Sequence, residues 1–277
     1  MRIGISTSLK HDTPREWADK MSALGCRSVV FPVDYTAPDS LIADYVQEAK
    51  RCDLRIAEVG IWKNVFAIDK TERQQARQRA LAQLRLADEI EADCAVNVAG
   101  TWGGPIWDGG YAQNYGKEAW EKIVAYIQDL IDTVKPKRTT YSIEAMPWMY
   151  PTGPDEYVKM IEQVDREEFS CHLDVVNMIN CPERYFFSGD FLDEVFDKMG
   201  GYVKSCHLKD IRLRDELTFQ LQEVACGEGT LDIGKYMSLA HKCDPDMPMI
   251  IEHLNTDEEY ENSLRFVKEI MAERDIK

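Results

Sequence analysis

The chain has 277 residues, 44% hydrophobic and 30% charged, with a formal net charge of −16. That balance fits a soluble protein with a substantial core and argues against a nucleic-acid partner, because phosphate binding relies on Lys and Arg. No apolar run approaches the roughly 18 residues of a membrane span, and no basic-then-apolar leader precedes the first strand-like segment, so a cytoplasmic protein without membrane contact is expected.

RIGIST, from residue 2, reads as the first strand. DTPREWADKMSALG follows, and Thr13, Pro14 and Glu16 predict a helix start with a capping box. Then come strand RSVVFPV, helix SLIADYVQEAKRC, strand RIAEVGI and the long helix TERQQARQRALAQLRLADEIEA. CAVNVAG gives the fourth strand. The segment after it, GTWGGPIWDGGYAQNYG, is the longest irregular one and predicts a lid or wall over a binding site. The alternation continues through KEAWEKIVAYIQDLIDTV, TTYSIEA, PDEYVKMIEQV, FSCHLDV, FLDEVFDKM, YVKSCHL, IGKYMSLAHKC and MPMIIEHL. A last helix, TDEEYENSLRFVKEIMAER, carries a second capping box at Thr256 and Glu259.

Strand–helix alternation repeated eight times predicts an α/β fold, a (β/α)8 TIM barrel, as a single domain over residues 1–277. An open doubly wound sheet would want a glycine-rich phosphate turn after the first strand, and ISTSLKHDTP supplies none. The eight cysteines form no CxxC pair. Cys171 and Cys206 directly precede strand histidines and so face the other way, as reduced thiols between barrel and helices.

Four strand-like runs end in a possible metal ligand: Glu144 in YSIEA, Asp174 in CHLDVVN, His207 in SCHLKD and Glu252 in MIIEHL. In a TIM barrel the chemistry sits at the C-terminal ends of strands, so four such ends converge on one place. Three carboxylates with a single imidazole suit one hard or borderline divalent ion, Mn²⁺ first, with Mg²⁺ or Co²⁺ as alternatives. Strand parity puts Ser142 with Glu144, His172 with Asp174 and Ser205 with His207 on shared faces, which predicts that those faces look into the barrel.

The segments SIEAMPW, HLDVVNM, CHLKDI, GEGTLD and IIEHL, in this order, resemble the xylose-isomerase-like TIM-barrel superfamily, over nearly the whole chain. Its members include sugar isomerases, ketose 3-epimerases, inosose dehydratases, C-glycoside deglycosidase α-subunits and endonuclease-type relatives. The resemblance implies Glu144, Asp174, His207 and Glu252 as ligands of a single ion, with Glu144 and Glu252 also exchanging a proton beside a substrate carbonyl. It implies a sugar isomerase or epimerase, or, as the alternative, a lyase that opens 3-keto glycosides with the help of a small partner subunit. A homo-oligomer is the other assembly it implies. The three-zinc endonucleases need many more histidines than the five present.

Further residues fall at the expected mouth. Trp62, Trp102, Trp107 and Trp148 follow strand ends, where sugar C–H faces would pack on their rings; loop packing is the alternative. Asn177 and Lys209 sit where they could bond substrate oxygens, and so does Arg212 on the loop after the seventh strand; a loop cap and surface ion pairs are the competing roles. His172 is expected one step below Asp174, toward the substrate or supporting the ligands. Glu58 is expected behind the ligands, touching them, and His253 beside Glu252, at the mouth or toward the helices. Asn177 stands where the ketose 3-epimerases carry His. Those enzymes also have a further acid shortly after the fifth-strand Glu, where this chain has Tyr150.

Overall fold

The structure is a computed structural model that describes residues 1–276. Its elements are β1 (Arg2–Ile5), α1 (Pro14–Ala23), β2 (Ser28–Val30), α2 (Asp39–Arg51), β3 (Arg55–Gly60), α3 (Lys70–Ile90), β4 (Cys94–Asn97), α4 (Lys117–Val134), β5 (Thr140–Glu144), α5 (Pro154–Val164) and β6 (Phe169–Leu173). Two short helices follow, α6 (Val175–Met178) and α7 (Pro182–Phe186), then α8 (Ser188–Met199) and β7 (Val203–Leu208). The chain continues with β8 (Asp210–Leu213), β9 (Leu221–Val224), α9 (Ile233–Cys243), β10 (Pro248–Ile251) and α10 (Asp257–Glu273).

Eight strands pair in parallel in the order β1-β10-β7-β6-β5-β4-β3-β2. At the seam between β1 and β2, the Arg27 N–H donates to the Ile3 carbonyl and Ser28 Oγ to the Arg2 carbonyl, both at 2.8 Å. A Cβ at position 4 would lie 2.1 Å from the Ser28 carbonyl oxygen, so only glycine lets the two backbones meet there. The result is a nearly closed (β/α)8 barrel, and all eight sequence-predicted strands belong to it. Among the described residues, no helix is long and apolar enough to cross a membrane.

The helices cover the barrel by helical periodicity. On α3 the buried residues Ala76, Ala80, Leu84 and Ala87 recur every three or four positions, and the small side chains let the helix lie close to the strands. On α4 the buried stripe is Ile123, Ile127, Leu130 and Ile131. Each fully buried Ile or Leu stabilises the fold by roughly 1.5–3 kcal/mol. The capping box at α10 forms completely, with Thr256 and Glu259 each bonding the other's backbone. At α1 only half forms: Thr13 accepts from the Glu16 N–H, but the Glu16 carboxylate turns to the Asp12 N–H at 2.8 Å.

Inside the barrel the inward faces are polar. Ser170 Oγ lies 2.5 Å from Thr140 Oγ1 and 2.8 Å from Ser142 Oγ. Above them, Ser205 Oγ lies 3.3 Å from Cys94 Sγ and 2.5 Å from His172 Nδ1. Buried hydroxyls need such partners, and this chain of them forms the floor beneath the strand ends. All eight cysteines are free, and Cys171 and Cys206 sit on the helix side against Tyr157 and Tyr236.

The short helices α6 and α7 and one larger element are absent from the sequence expectation. The segment after β7, read as a loop, is an antiparallel hairpin of β8 and β9. Its root is fixed by Asp210, whose carboxylate accepts from the backbone N–H groups of Gly227, Gly229 and Leu231 at 3.0–3.1 Å. The acid of HLKD and the GEG turn are thus one structural unit.

Candidate metal centre

Glu144 ends β5, Asp174 follows β6, His207 lies one residue from the end of β7, and Glu252 follows β10. One ligand atom from each of these four residues lies within 4.8 Å of all the others, and all four residues are buried. His207 Nδ1 faces three carboxylates: Glu252 Oε1 at 2.9 Å, Glu144 Oε1 at 3.6 Å and Asp174 Oδ2 at 3.9 Å. The division of labour on Asp174 is local. Its Oδ1 caps α6 by accepting the Asn177 N–H at 3.1 Å, which leaves Oδ2 to the cluster.

A divalent ion fits these residues. Both His207 ring nitrogens are buried, and neither makes an aligned hydrogen bond. Orphaned buried polar atoms are costly unless something binds them. Three oxygen donors and one nitrogen match the preference of hard or borderline ions.

The cluster perturbs its own members. Burial pushes the Glu144 carboxyl up to about 7, against the opposing pull of His207. Burial acts the same way on Glu252, but the positive charges of His207 and Lys209 outweigh it and hold that carboxyl well below its ordinary value. Burial would lower His207; the carboxylates of Glu252, Glu58 and Glu144 together raise it well above the usual imidazole value. Burial brings His172 down to about 4, helped by the charge on His207, so His172 is neutral.

Around the four lie the other sequence-predicted residues. Asn177 Nδ2 donates to Glu144 Oε1 at 2.9 Å. The Lys209 ammonium is 2.7 Å from Asp174 Oδ2, 2.9 Å from Glu252 Oε1 and 3.0 Å from Glu223 Oε1. Lys209 is buried, so the exposed ion pair weighed as its alternative role does not form. Glu58 is buried below, 3.4 Å from both His172 Nδ1 and His207 Nε2. His253 stands half exposed at the mouth, its Nδ1 2.7 Å from Glu223 Oε2.

Above the cluster opens a cavity of about 890 Å³. Trp62, Trp107 and Trp148 line it, and Trp107 and Asp108 bring the long segment after β4 in as a wall. That wall is pinned to the β5 loop by Trp148 Nε1, which donates to the Asp108 carbonyl at 2.6 Å. The Trp62 indole lies over the Gly60 backbone, where a Cβ would come within 2.0 Å of Nε1.

Four expected pocket residues do not line the cavity: His172 and Lys209 are fully buried, and Trp102 and Arg212 lie elsewhere. Trp102 packs edge-on to Phe66 at a centroid distance of 5.1 Å and under the Lys122 ammonium of α4, so burial against that helix holds it off the cavity. Arg212 pairs with Gln222 across the hairpin, and strand alternation puts both on the outer face. The neighbouring pair, Ile211 and Glu223, faces the cavity instead. Glu223, Phe219 and Leu221 are lining residues that the sequence reading did not single out. Their strict alternation in TFQLQE was the available signal.

The family model for the xylose isomerase-like TIM barrel matches residues 18–270. The chain belongs to that family. Among curated proteins none is matched by sequence. Solved structures of similar fold include the probable 3-DHS dehydratase AsbF of Bacillus anthracis, with a TM-score of 0.74 at 12% identity, covering 97% of this chain and 99% of that one. The 3-keto-D-glucoside 4-epimerase YcjR of E. coli aligns with a TM-score of 0.68 at 13% identity, over 97% of this chain and 99% of that one. A xylose isomerase-like TIM-barrel protein of Mycobacterium smegmatis, solved in complex with magnesium, gives 0.68 at 16% identity over 94% and 88%. At these identities the likeness is one of fold. Family and cluster together make this a xylose isomerase-like TIM barrel whose strand ends could hold a metal ion.

Proposed function

We propose that this chain is a divalent-metal-dependent isomerase or epimerase that removes a proton from the carbon beside a sugar carbonyl and returns one through an enediolate. The observation that carries this reading is the convergence of Glu144, Asp174, His207 and Glu252 within 4.8 Å at the floor of an open cavity. A C–H beside a carbonyl is a weak acid, and a bound divalent ion, Mn²⁺ in this reading with Mg²⁺ or Co²⁺ able to serve, supplies the positive charge that stabilises the developing oxyanion. Glu144 and Glu252 are the groups that take and give the proton. Asn177 orients the Glu144 carboxylate through its 2.9 Å bond. Lys209 compensates the acids of the site through Asp174, Glu252 and Glu223, and Trp62 and Trp148 offer ring faces to sugar C–H groups. The whole chain serves as one catalytic domain, in the cytoplasm and as a homo-oligomer.

A second reading has its own observation. The cavity volume is near the top of the roughly 300–1,000 Å³ range of drug-sized ligand pockets, and its walls include three tryptophans and Phe219. That space favours a glycoside carrying an aglycone over a lone sugar ring. In this reading the same proton is removed from a 3-keto glycoside and the aglycone leaves, with a small partner subunit completing the enzyme. The test is NMR in D₂O with Mn²⁺-loaded, then Mg²⁺-loaded, protein and a panel of ketoses, inososes and 3-keto glycosides. Deuterium beside the carbonyl of a recovered sugar supports the first reading, and released aglycone supports the second. No exchange with any member, with metal binding verified and a partner sought by pull-down, overturns both.

A further inference from the structure

Under the four candidate ligands, Glu58 and His172, which the proposed reaction does not use, meet His207 in a buried trio. Glu58, at 2% exposure, projects from β3 toward the imidazoles of His207 and His172. Glu58 Oε2 and His207 Nε2 are both buried, both lack any aligned hydrogen bond, and stand 3.4 Å apart. His172 Nδ1 stands at the same distance from Glu58 Oε2 but is already bonded to Ser205, which leaves Glu58 to His207.

His207 has a tautomer to settle. Its Nδ1 faces the carboxylates of Glu252, Glu144 and Asp174, which all draw a proton to that nitrogen. For Nδ1 to bind an ion, the proton must instead sit on Nε2, and an acceptor is needed there to hold it. Glu58 is that acceptor by position. The ring is also confined: the His172 ring stands at 81° to it with centroids 4.1 Å apart, and His172 is itself tied by Nδ1 to Ser205 at 2.5 Å. His207 therefore has little room to turn its other nitrogen upward.

We propose that Glu58 is a positioning residue for the metal centre, accepting the Nε2–H of His207 so that Nδ1 is presented to the ion. This rests on the metal-centre reading above. The alternative for the same trio is a second ion held by Glu58, His172 and His207. The 3.4 Å spacing suits either, but Ser205 already occupies His172 Nδ1.

The experiment has two arms. In wild-type protein loaded with diamagnetic Mg²⁺ or Zn²⁺, ¹⁵N–¹H correlation spectra of the imidazoles report the His207 tautomer; a proton on Nε2 is expected, and a proton on Nδ1 overturns the proposal. In calorimetric titration with Mn²⁺, wild type is expected to bind one ion. Glu58→Leu should weaken that binding by roughly 10–100-fold, the usual cost of losing a carboxylate behind a histidine ligand, with Glu58→Gln falling between the two. Unchanged affinity in both variants overturns the proposal. So does wild-type binding of two ions that falls to one in Glu58→Leu, since that would make Glu58 a ligand. Should Glu58→Leu not fold, Glu58→Gln and the wild-type spectrum still decide. If wild type binds no divalent ion, the metal-centre reading itself fails, an outcome distinct from a bound ion that ignores Glu58.

Discussion

The ammonium of Lys209 lies 2.7 Å from the Asp174 carboxylate, in a place where the lysine is only 2% exposed. Glu252 and Glu223 complete its surroundings at 2.9 and 3.0 Å. Burial works to deprotonate it, but the carboxylates of Asp174, Glu252 and Glu223 outweigh burial and hold it charged. Removing one partner of a buried charge cluster leaves the others uncompensated, at a cost of about 3–5 kcal/mol. Lys209→Met in chelator-treated protein is therefore expected to lose that much in urea denaturation. A variant within about 1 kcal/mol of the parent would show that the ammonium does not compensate the acids; such small differences are usual for exposed pairs.

Glu144→Gln and Glu252→Gln should each abolish deuterium exchange while leaving the fold intact, because the amide is isosteric and keeps one oxygen donor. A loss of at least about 10²-fold is expected from removing a general base or acid. Circular dichroism checks the fold and NMR the exchange; full exchange in either variant would remove that residue from the proton path.

Asn177 bonds the carboxylate whose pKa burial has already raised to about 7. A hydrogen bond donated to a carboxylate favours its ionised form, so Asn177→Leu pushes Glu144 higher still. In metal-free protein the Glu144 carboxyl therefore titrates at higher pH in the variant, read by ¹³C NMR of the labelled carboxylate. An unmoved titration would show that Asn177 does not support the Glu144 carboxylate.

The barrel was legible because its signal repeats eight times, and each strand–helix unit restates the pattern. Clustering of the four acid and imidazole groups was legible for a related reason: strand ends are fixed by local sequence, and barrel closure brings them together. The rest depended on contacts far apart in the chain. Trp102 looks like its three neighbours in sequence, yet Phe66 and Lys122 draw it away from the cavity. Glu223 joins the site through Lys209, just before the hairpin, and His253, in the loop after β10. The hairpin was hidden by its seven-residue tip, from Arg214 to Gln220, and by the shortness of its strands, four residues each.

Trp62 depends on Gly60 for its place over the cavity floor, since a Cβ there would sit 2.0 Å from the indole nitrogen. Gly60→Ala must displace the ring, and Trp62→Ala removes it. If the ring binds substrate by packing alone, both variants raise KM by a similar factor with kcat little changed, the signature of lost uniform binding. A kcat effect confined to Gly60→Ala would trace instead to movement of β3 and Glu58.

The hairpin should be pinned over the site in a pH-dependent way. Burial alone would raise Glu223, but its hydrogen bond to His253 and the charge on Lys209 outweigh burial and bring it to about 2. A depressed carboxylate stabilises the fold above its unfolded value, and that contribution is lost as pH falls from about 4.5 toward 2. His253 is raised, chiefly by the same bond, so its contribution is complete below about 6.5 and fades as pH rises through the raised value. The anchoring is therefore strongest between about pH 4.5 and 6.5. Glu223→Gln removes both contributions, so its Tm should fall furthest below the parent's near pH 5.5. At pH 8.5 the gap should narrow only in part, because Lys209 remains charged and still pairs with Glu223. At pH 3 it should narrow further as Glu223 approaches its own titration. A gap that stays constant from pH 3 to 8.5 in differential scanning fluorimetry would mean that Glu223 holds the hairpin by packing rather than by charge.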